Sequence, residues 1–242
     1  MTTFNVIVHP VEHRTWKRLL EQSTLQEDAK EFYYGKPLTS VLQLDLAPTK
    51  LKKGGFKLAA FGKSMTAIFG GNGAEEIVAK HIYHTEERVV EANGQLVMKQ
   101  INVPYDGEKQ AQHLWMEIAC LVWAQALLDM VYEYMEEEAG DLSGVPFFIP
   151  RFHFVQAALA VEQNPSGKTG RKAPAAFLLE EVIDAKTEGP FRKYLNNVSP
   201  VPLTMESKED EKRALFLAFS QHVQYWRTKK QVFVSDYQGK QK

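Results

Sequence analysis

Asp236 and Gln238, in "VFVSDYQG", are two oxygen donors set two residues apart behind an apolar run, Val232 to Val234. An aspartate at the end of a buried strand with a second oxygen ligand close by is a common way to seat Mg²⁺. A strand running into a polar turn beside a glycine has the same pattern. Lys80, in "EIVAKHIYH", lies inside an apolar strand-like run, where a long cation must snorkel or find a partner. Upstream, "GGFK" places the Gly54–Gly55 turn and Lys57 between two strand-like stretches. A glycine turn over a nucleotide and a strand lysine on its phosphates are the parts of phosphoryl transfer. The plainer alternative is an edge-strand lysine facing water. "AFLLEEVI" carries an apolar strand to Glu180 and Glu181, either a connector whose backbone meets an adenine edge or a strand entering a solvated turn.

Other motifs fail on spacing. "GKS" at Gly62–Ser64 has Lys57, and "GKT" at Gly167–Thr169 has Glu162, where a phosphate-cradling loop needs glycine. "HPVEH" fits a zinc-protease pattern, but Pro10 pushes His9 toward an extended conformation, whereas that chemistry needs one helical face. His81 and His84 are three apart in a strand and face opposite sides.

The elements that must carry these groups read as α+β. "FNVIVH" and "SVLQLDLAPTKL" are strands, and "TWKRLLEQSTLQEDAKEFYYG" is helical up to Gly35. Short strands joined by glycine turns follow. Leu114, Ile118, Val122, Trp123, Leu127, Met130 and Val131 recur at helical spacing in one long helix with an acidic end. "PFFIPRFHFVQAALAVEQ" and "APAAFLLEEVI" are strand-like and flank the polar loop "NPSGKTGRKA". Ser207 and Asp210 open a helix as a capping box, and "QVFVSDYQ" is a closing strand.

The chain has 242 residues, 44% hydrophobic and 24% charged, with a net charge of −1. That is enough for a large core, and no global field favours nucleic acid or a membrane. The most apolar stretch, Ile118 to Leu128, is too short to span a bilayer. Cys120 is the only cysteine, which fits a reducing, cytoplasmic compartment.

"GGFK", "VAKHIY", "LLEEVI", "GPFRKYLNN", "AFSQHVQYW" and "VFVSDYQG", in that order, resemble the alpha-kinase family of atypical protein kinases. The resemblance runs from about Val41 to Gly239 and is nearest in look to fungal alpha-kinase-like domains. It implies a two-lobed protein-kinase-like fold with an antiparallel N-lobe sheet over residues 1–180 and a shortened C-lobe over 181–242. It implies ATP and Mg²⁺ as nucleotide and metal, and a serine or threonine hydroxyl of a protein as acceptor.

Residue by residue, Gly54, with Gly55, resembles the loop glycine, and Lys57 stands where the family usually has arginine. Lys80 resembles the lysine on the phosphates, and Glu180 the hinge glutamate. Asn196 and Asn197 fall in the stretch after the hinge. Asp236 and Gln238 resemble the catalytic-loop pair at the metal, and His222 the first zinc ligand. Glu117, on the long helix, is the expected partner of Lys80.

The family pattern continues past D-x-Q-G with a further aspartate and the rest of a zinc site, while the chain ends at Lys242. The family's structural zinc is therefore expected to be absent. Two readings stand: a protein kinase with impaired catalysis, and a non-catalytic ATP-binding or protein-interaction module on the same fold.

Overall fold

A computed structural model describes residues 1–24, 30–92, 95–140, 149–163, 174–183 and 191–239. The loop expected at "NPSGKTGRKA" lies wholly outside them. The chain divides into two compact units, and neither is continuous in sequence. Unit 1 comprises Met1–Glu12, Ala29–Ala119 and Val155–Val182; unit 2 comprises His13–Asp28, Cys120–Phe154 and Ile183–Lys242. The expected linear division at 180/181 lies two residues from one of these breaks. It does not anticipate that 13–28 and 120–154 belong with the C-terminal residues.

Unit 1 is built on antiparallel strands: β1 (Thr2–Pro10), β2 (Leu38–Leu44), β3 (Lys52–Lys53), β4 (Lys57–Ser64), β5 (Glu75–Ala92), β6 (Gln95–Pro104), β7 (Ala157–Glu162) and β8 (Ala176–Glu181). The sheet order is β3-β4-β2-β1-β7-β8-β5-β6, and β4 also pairs with β5. That extra ladder, Lys57↔Ile82 to Ser64↔Glu75, closes six strands into a ring and removes their open edges. One face of β1, β2, β5, β7 and β8 turns inward. Phe4, Val6, Val8, Leu42, Leu44, Ile77, Ala79, Ala158, Ala160, Phe177 and Leu179 form a single buried cluster there, in step with the two-residue alternation of each strand.

Gly62 sits where β4 crosses β2. A Cβ added there would lie 2.3 Å from the Gln43 carbonyl oxygen and 2.7 Å from Leu44 Cδ2, so the ring closes only with glycine. The inward hydroxyls of Ser40 and Ser64 satisfy one another at 2.8 Å.

The helix α2 (Gly107–Ala139) spans 33 residues and contributes to both units. By length and composition it is apolar enough to cross a membrane. Leu114, Ile118, Val122, Ala126 to Leu128, Met130 and Val131 are buried in the protein. Glu136 to Glu138 are exposed at its C-terminal end, where water offsets their unfavourable alignment with the helix dipole.

Unit 2 holds the helix α1 (Trp16–Thr24), the second part of α2, the helix α3 (Lys208–Arg227) and the two-residue strands β9 (Arg192–Lys193) and β10 (Gln238–Gly239). Leu128, Val131, Tyr132, Tyr194, Leu195, Ala214, Phe216, Leu217, Val223 and Tyr237 form its core. The Tyr132 hydroxyl donates to the Pro150 carbonyl at 2.9 Å and accepts from the Phe152 amide at 2.8 Å. Ser207 caps α3, accepting from the Asp210 amide at 3.1 Å as its sequence signature predicts.

Two strand expectations change. Val232 and Phe233 are exposed and Val232–Val234 is not a strand. Side chains of α3 take over the ladder's role: the Val234 amide donates to Gln224 Oε1 at 2.8 Å, and Gln221 Nε2 donates to the Val234 carbonyl at 2.8 Å. Nor is the strand of "EEIVAKHIYH" short. It runs on to Ala92 and pairs with β6, a strand without a marked sequence signature.

Candidate functional site

In unit 1, Lys80 stands on the outer face of the ring, in a strand flanked by β4 and β8. It is not an edge lysine. It is a half-buried cation and closes an ion pair with Glu180, the half-buried carboxylate on β8. The register explains the pairing. Lys80 opposes Leu178 and Val78 opposes Glu180, so lysine and glutamate are diagonal neighbours on one face.

Glu117 is therefore not the partner of Lys80. It accepts from Lys57 Nζ at 2.6 Å. Lys57 opposes Ile82 and Ala59 opposes Lys80, so the two lysines lie on the same face one step apart, and each takes a different carboxylate. The helix reaches the lysine at the strand end, and β8 reaches the lysine at the strand centre. Lys57 Nζ also lies 5.1 Å from the centre of the Phe56 ring.

Gly54 and Gly55 form the exposed turn between β3 and β4. The Gly54 amide donates to the Lys57 carbonyl at 2.8 Å. The Tyr83 hydroxyl lies 2.9 Å from both the Gly54 and the Gly55 carbonyl oxygens, pinning the turn to β5. The site's glycine turn and its two lysines are thus held by neighbouring strands of a single sheet. Unit 1 gives way to unit 2 between Val182 and Ile183, just beyond Glu180.

In unit 2, Asp236 adopts a left-handed backbone (φ 60°), a conformation aspartate tolerates better than most residues. Tyr237 is buried beside it, its hydroxyl accepting from Gln224 Nε2 at 3.1 Å. Burial pushes the Tyr237 hydroxyl up to about 12. With Tyr237 anchored inward, half-buried Asp236 and exposed Gln238 flank it.

Lys193 completes the group. Its Nζ lies 2.5 Å from Asp236 Oδ1, and the residue opposes Gln238 in the β9–β10 ladder. Lys193 lies within "GPFRKYLNN", where nothing in the sequence marks it for a role. A lysine beside two adjacent short strands has no periodic signal, and only the ladder register brings it to the aspartate. Asn196, from the same stretch, accepts from the Val198 and Ser199 amides at 3.0 and 2.8 Å and so shapes the following turn.

A neighbouring charge cluster is structural. Asp210 is buried and meets Arg192 Nε at 3.2 Å, Arg213 Nη1 at 3.1 Å and the Ser207 hydroxyl at 2.7 Å. Burial works against its ionisation, and the hydroxyl and the two guanidinium groups outweigh it, holding the carboxyl below its usual range.

The donor chemistry around Asp236 fits Mg²⁺. One carboxylate and one amide oxygen are hard ligands, and Mg²⁺ completes its shell with phosphate oxygens and water. Among the described residues no three His, Cys, Asp or Glu side chains cluster as a metal cage, so such a metal would depend on the phosphates. His222 is exposed on α3, and Cys120 is exposed on α2.

The alpha-kinase family model matches residues 52–242; the chain belongs to the alpha-kinase family, an atypical protein kinase family. Solved structures share its fold. The apoenzyme alpha-kinase domain of myosin-II heavy chain kinase A superposes with a TM-score of 0.52 at 12% identity, covering 97% of this chain and 78% of that one. The same kinase's domain in complex with ADP gives 0.51 at 12% identity, covering 99% and 79%. Its complex with AMPPCP gives 0.52 at 12% identity, covering 99% and 78%. No curated protein matches the sequence significantly.

Proposed function

We propose that this chain is an ATP-dependent protein kinase of alpha type that transfers the γ-phosphate to a serine or threonine hydroxyl of a protein. The observation that carries the reading is Asp236, held in a left-handed turn between buried Tyr237 and the ammonium of Lys193. Phosphoryl transfer asks mainly for positioning and charge, and this turn supplies a fixed carboxylate, a fixed cation and a second oxygen donor. ADP and AMPPCP complexes of the myosin-II heavy chain kinase A domain support nucleotide as the ligand.

In this reading unit 1 contributes the nucleotide-binding groups. The backbone of Gly54 and Gly55 borders the phosphates, Lys80 and Lys57 neutralise them, Glu117 and Glu180 orient the two lysines, and the strand ending at Glu181 meets the base. Asp236 would orient the acceptor hydroxyl and, with Gln238, would hold Mg²⁺. Bound Mg²⁺ would supply charge neutralisation at the phosphate oxygens. Lys193 fixes the Asp236 carboxylate. The exposed lone thiol of Cys120 supports a reducing, cytoplasmic setting.

A second reading, nucleotide binding without transfer, draws on the Asp236 group itself: the chain offers two oxygen donors there, and the carboxylate is already engaged by Lys193.

Calorimetry with Mg-ATP and a radiometric transfer assay on generic protein substrates separate the two. Mg-ATP should bind, with affinity reduced in Lys80→Ala. Transfer that vanishes in Asp236→Ala establishes the kinase; binding without any transfer leaves the second reading. No binding at millimolar nucleotide defeats both.

A further inference from the structure

The hairpin of β5 and β6 leaves the ring as an arm. β4 pairs with β5 only as far as Ile82, and β8 only as far as Lys80. From Tyr83 to Ala92, β5 pairs with β6 alone, over ten residue pairs. One row of side chains makes the change visible. Ile77, Ala79 and His81 on this row are buried, as is Tyr83, whose hydroxyl meets the β3–β4 turn; Thr85, Glu87, Val89 and Glu91 continue the same alternation and are exposed. The row keeps its apolar centre after its cover has ended. Val89 is 59% exposed, Met98, opposite it, 62%, and Leu96, opposite Glu91, 77%.

The two faces of the arm differ in charge. The face with Val89, Met98 and Leu96 carries Glu87 and Glu91 and no lysine or arginine. The other carries Arg88 opposite Lys99, with Arg88 Nη2 held 2.8 Å from Glu86 and His84 Nε2 2.7 Å from the same carboxyl group. Among the described residues, Glu87 and Glu91 are in no ion pair. The Tyr83 amide donates to the Phe56 carbonyl on the β4 side, whereas the Ile82 carbonyl accepts from the Tyr105 amide on the β6 side, so β6 continues along the edge of β5 that β8 occupies lower down. Beyond Tyr83 the edge that β4 occupies lower down has no ladder partner among the described residues, and its backbone groups stand open.

We infer that this edge of β5 binds an extended segment of a partner protein in which basic residues alternate with an apolar one, as an added strand. The cross-strand neighbours of such a strand would be Glu87, Val89 and Glu91, which call for Lys or Arg, an apolar residue, and Lys or Arg at alternate positions. Main-chain hydrogen bonds supply affinity and the three side chains supply the choice of partner. A second copy laid against the same face would set glutamates against glutamates. An anionic lipid surface or nucleic acid would meet the same two carboxylates. The inference concerns binding by the arm alone and does not depend on the phosphoryl-transfer reading.

The test is fluorescence anisotropy on the whole chain with two labelled peptides. One repeats Lys-Thr-Val-Thr; the other has glutamate in place of each lysine. The lysine peptide should bind and the glutamate peptide should bind at least about tenfold more weakly. Glu87→Lys with Glu91→Lys should reverse that order. Val89→Asp should weaken the lysine peptide. Lys99→Gln, on the opposite face, should leave both affinities within about twofold, and all variants should keep the wild-type melting temperature. The inference falls if the two peptides bind alike, if Lys99→Gln has the effect expected of the glutamate pair, or if the lysine peptide fails to bind at about 1 mM. Self-association abolished by Val89→Asp would replace the partner segment by a second copy and would also overturn it.

Discussion

Lys80 and Glu180 are diagonal neighbours across β5 and β8 on the outer face of the ring, and their side chains pair with one another while Lys57 takes Glu117. This divides four charged residues into two independent pairs. Double-mutant cycles read by denaturant unfolding should give a coupling of about 1 kcal/mol for Lys80 with Glu180 and for Lys57 with Glu117. Lys80 with Glu117 should show none beyond about 0.3 kcal/mol. Appreciable coupling in that last cycle would mean the helix carboxylate serves both lysines.

Gly62 is irreplaceable for steric reasons. A Cβ 2.3 Å from a backbone oxygen cannot be relieved by a rotamer change. Gly62→Ala should cost at least about 2 kcal/mol of stability, the scale of overpacking in a close-packed interior. Gly55→Ala, where nothing lies within 4 Å of the added carbon, should change stability by less than about 0.5 kcal/mol. Equal melting temperatures for the two variants would show that the ring opens at β4.

Asp210 gives unit 2 a pH signature. Its folded-state carboxyl titrates below its ordinary value of 3.8, so the unfolded chain takes up the proton first as pH falls. The stabilisation is full above that value and is lost as pH drops through the lower, folded-state one. Asp210→Asn should therefore be less stable than wild type at neutral pH, and the gap should narrow below pH 3.8. Melting curves that stay parallel into strong acid would contradict this.

Lys193 extends the proposed chemistry to a residue without a motif. If it fixes the Asp236 carboxylate, Lys193→Met should lower kcat by about 100-fold or more while changing KM for ATP little, because positioning acts on the transfer step. The far-ultraviolet circular dichroism of the variant should be unchanged. An effect confined to KM would move Lys193 to nucleotide binding.

Much of this was legible because its signals are local. The helical spacing from Leu114 to Val131 marks α2, the Ser207–Asp210 pair marks the start of α3, and the glycine pair at 54 and 55 marks the β3–β4 turn. Lys80 was identifiable as a cation in an apolar strand. Its partner was not, because a diagonal contact depends on register, which no single strand encodes. The Val232–Val234 run reads as a strand from composition, yet two glutamines of α3 claim its backbone first. β6 was missed for a related reason: "QLVMKQINVP" is polar enough at its centre to pass for loop, and it is ordered by pairing with β5 rather than by burial.

The closure of the ring has a consequence for synthesis. β1 and β2 leave the ribosome early, but β7 and β8, which join β1 to β5, come only after all of α2 has been made. Until residue 181 has emerged, β1 and β5 each present an unpaired edge and the inward apolar faces remain open on one side. Pairings this distant in sequence form slowly, and intermediates with exposed strand edges are prone to aggregate. A nascent chain arrested shortly before β7 should therefore depend on holding chaperones, and should lose that dependence within a few tens of residues of β8 clearing the exit tunnel.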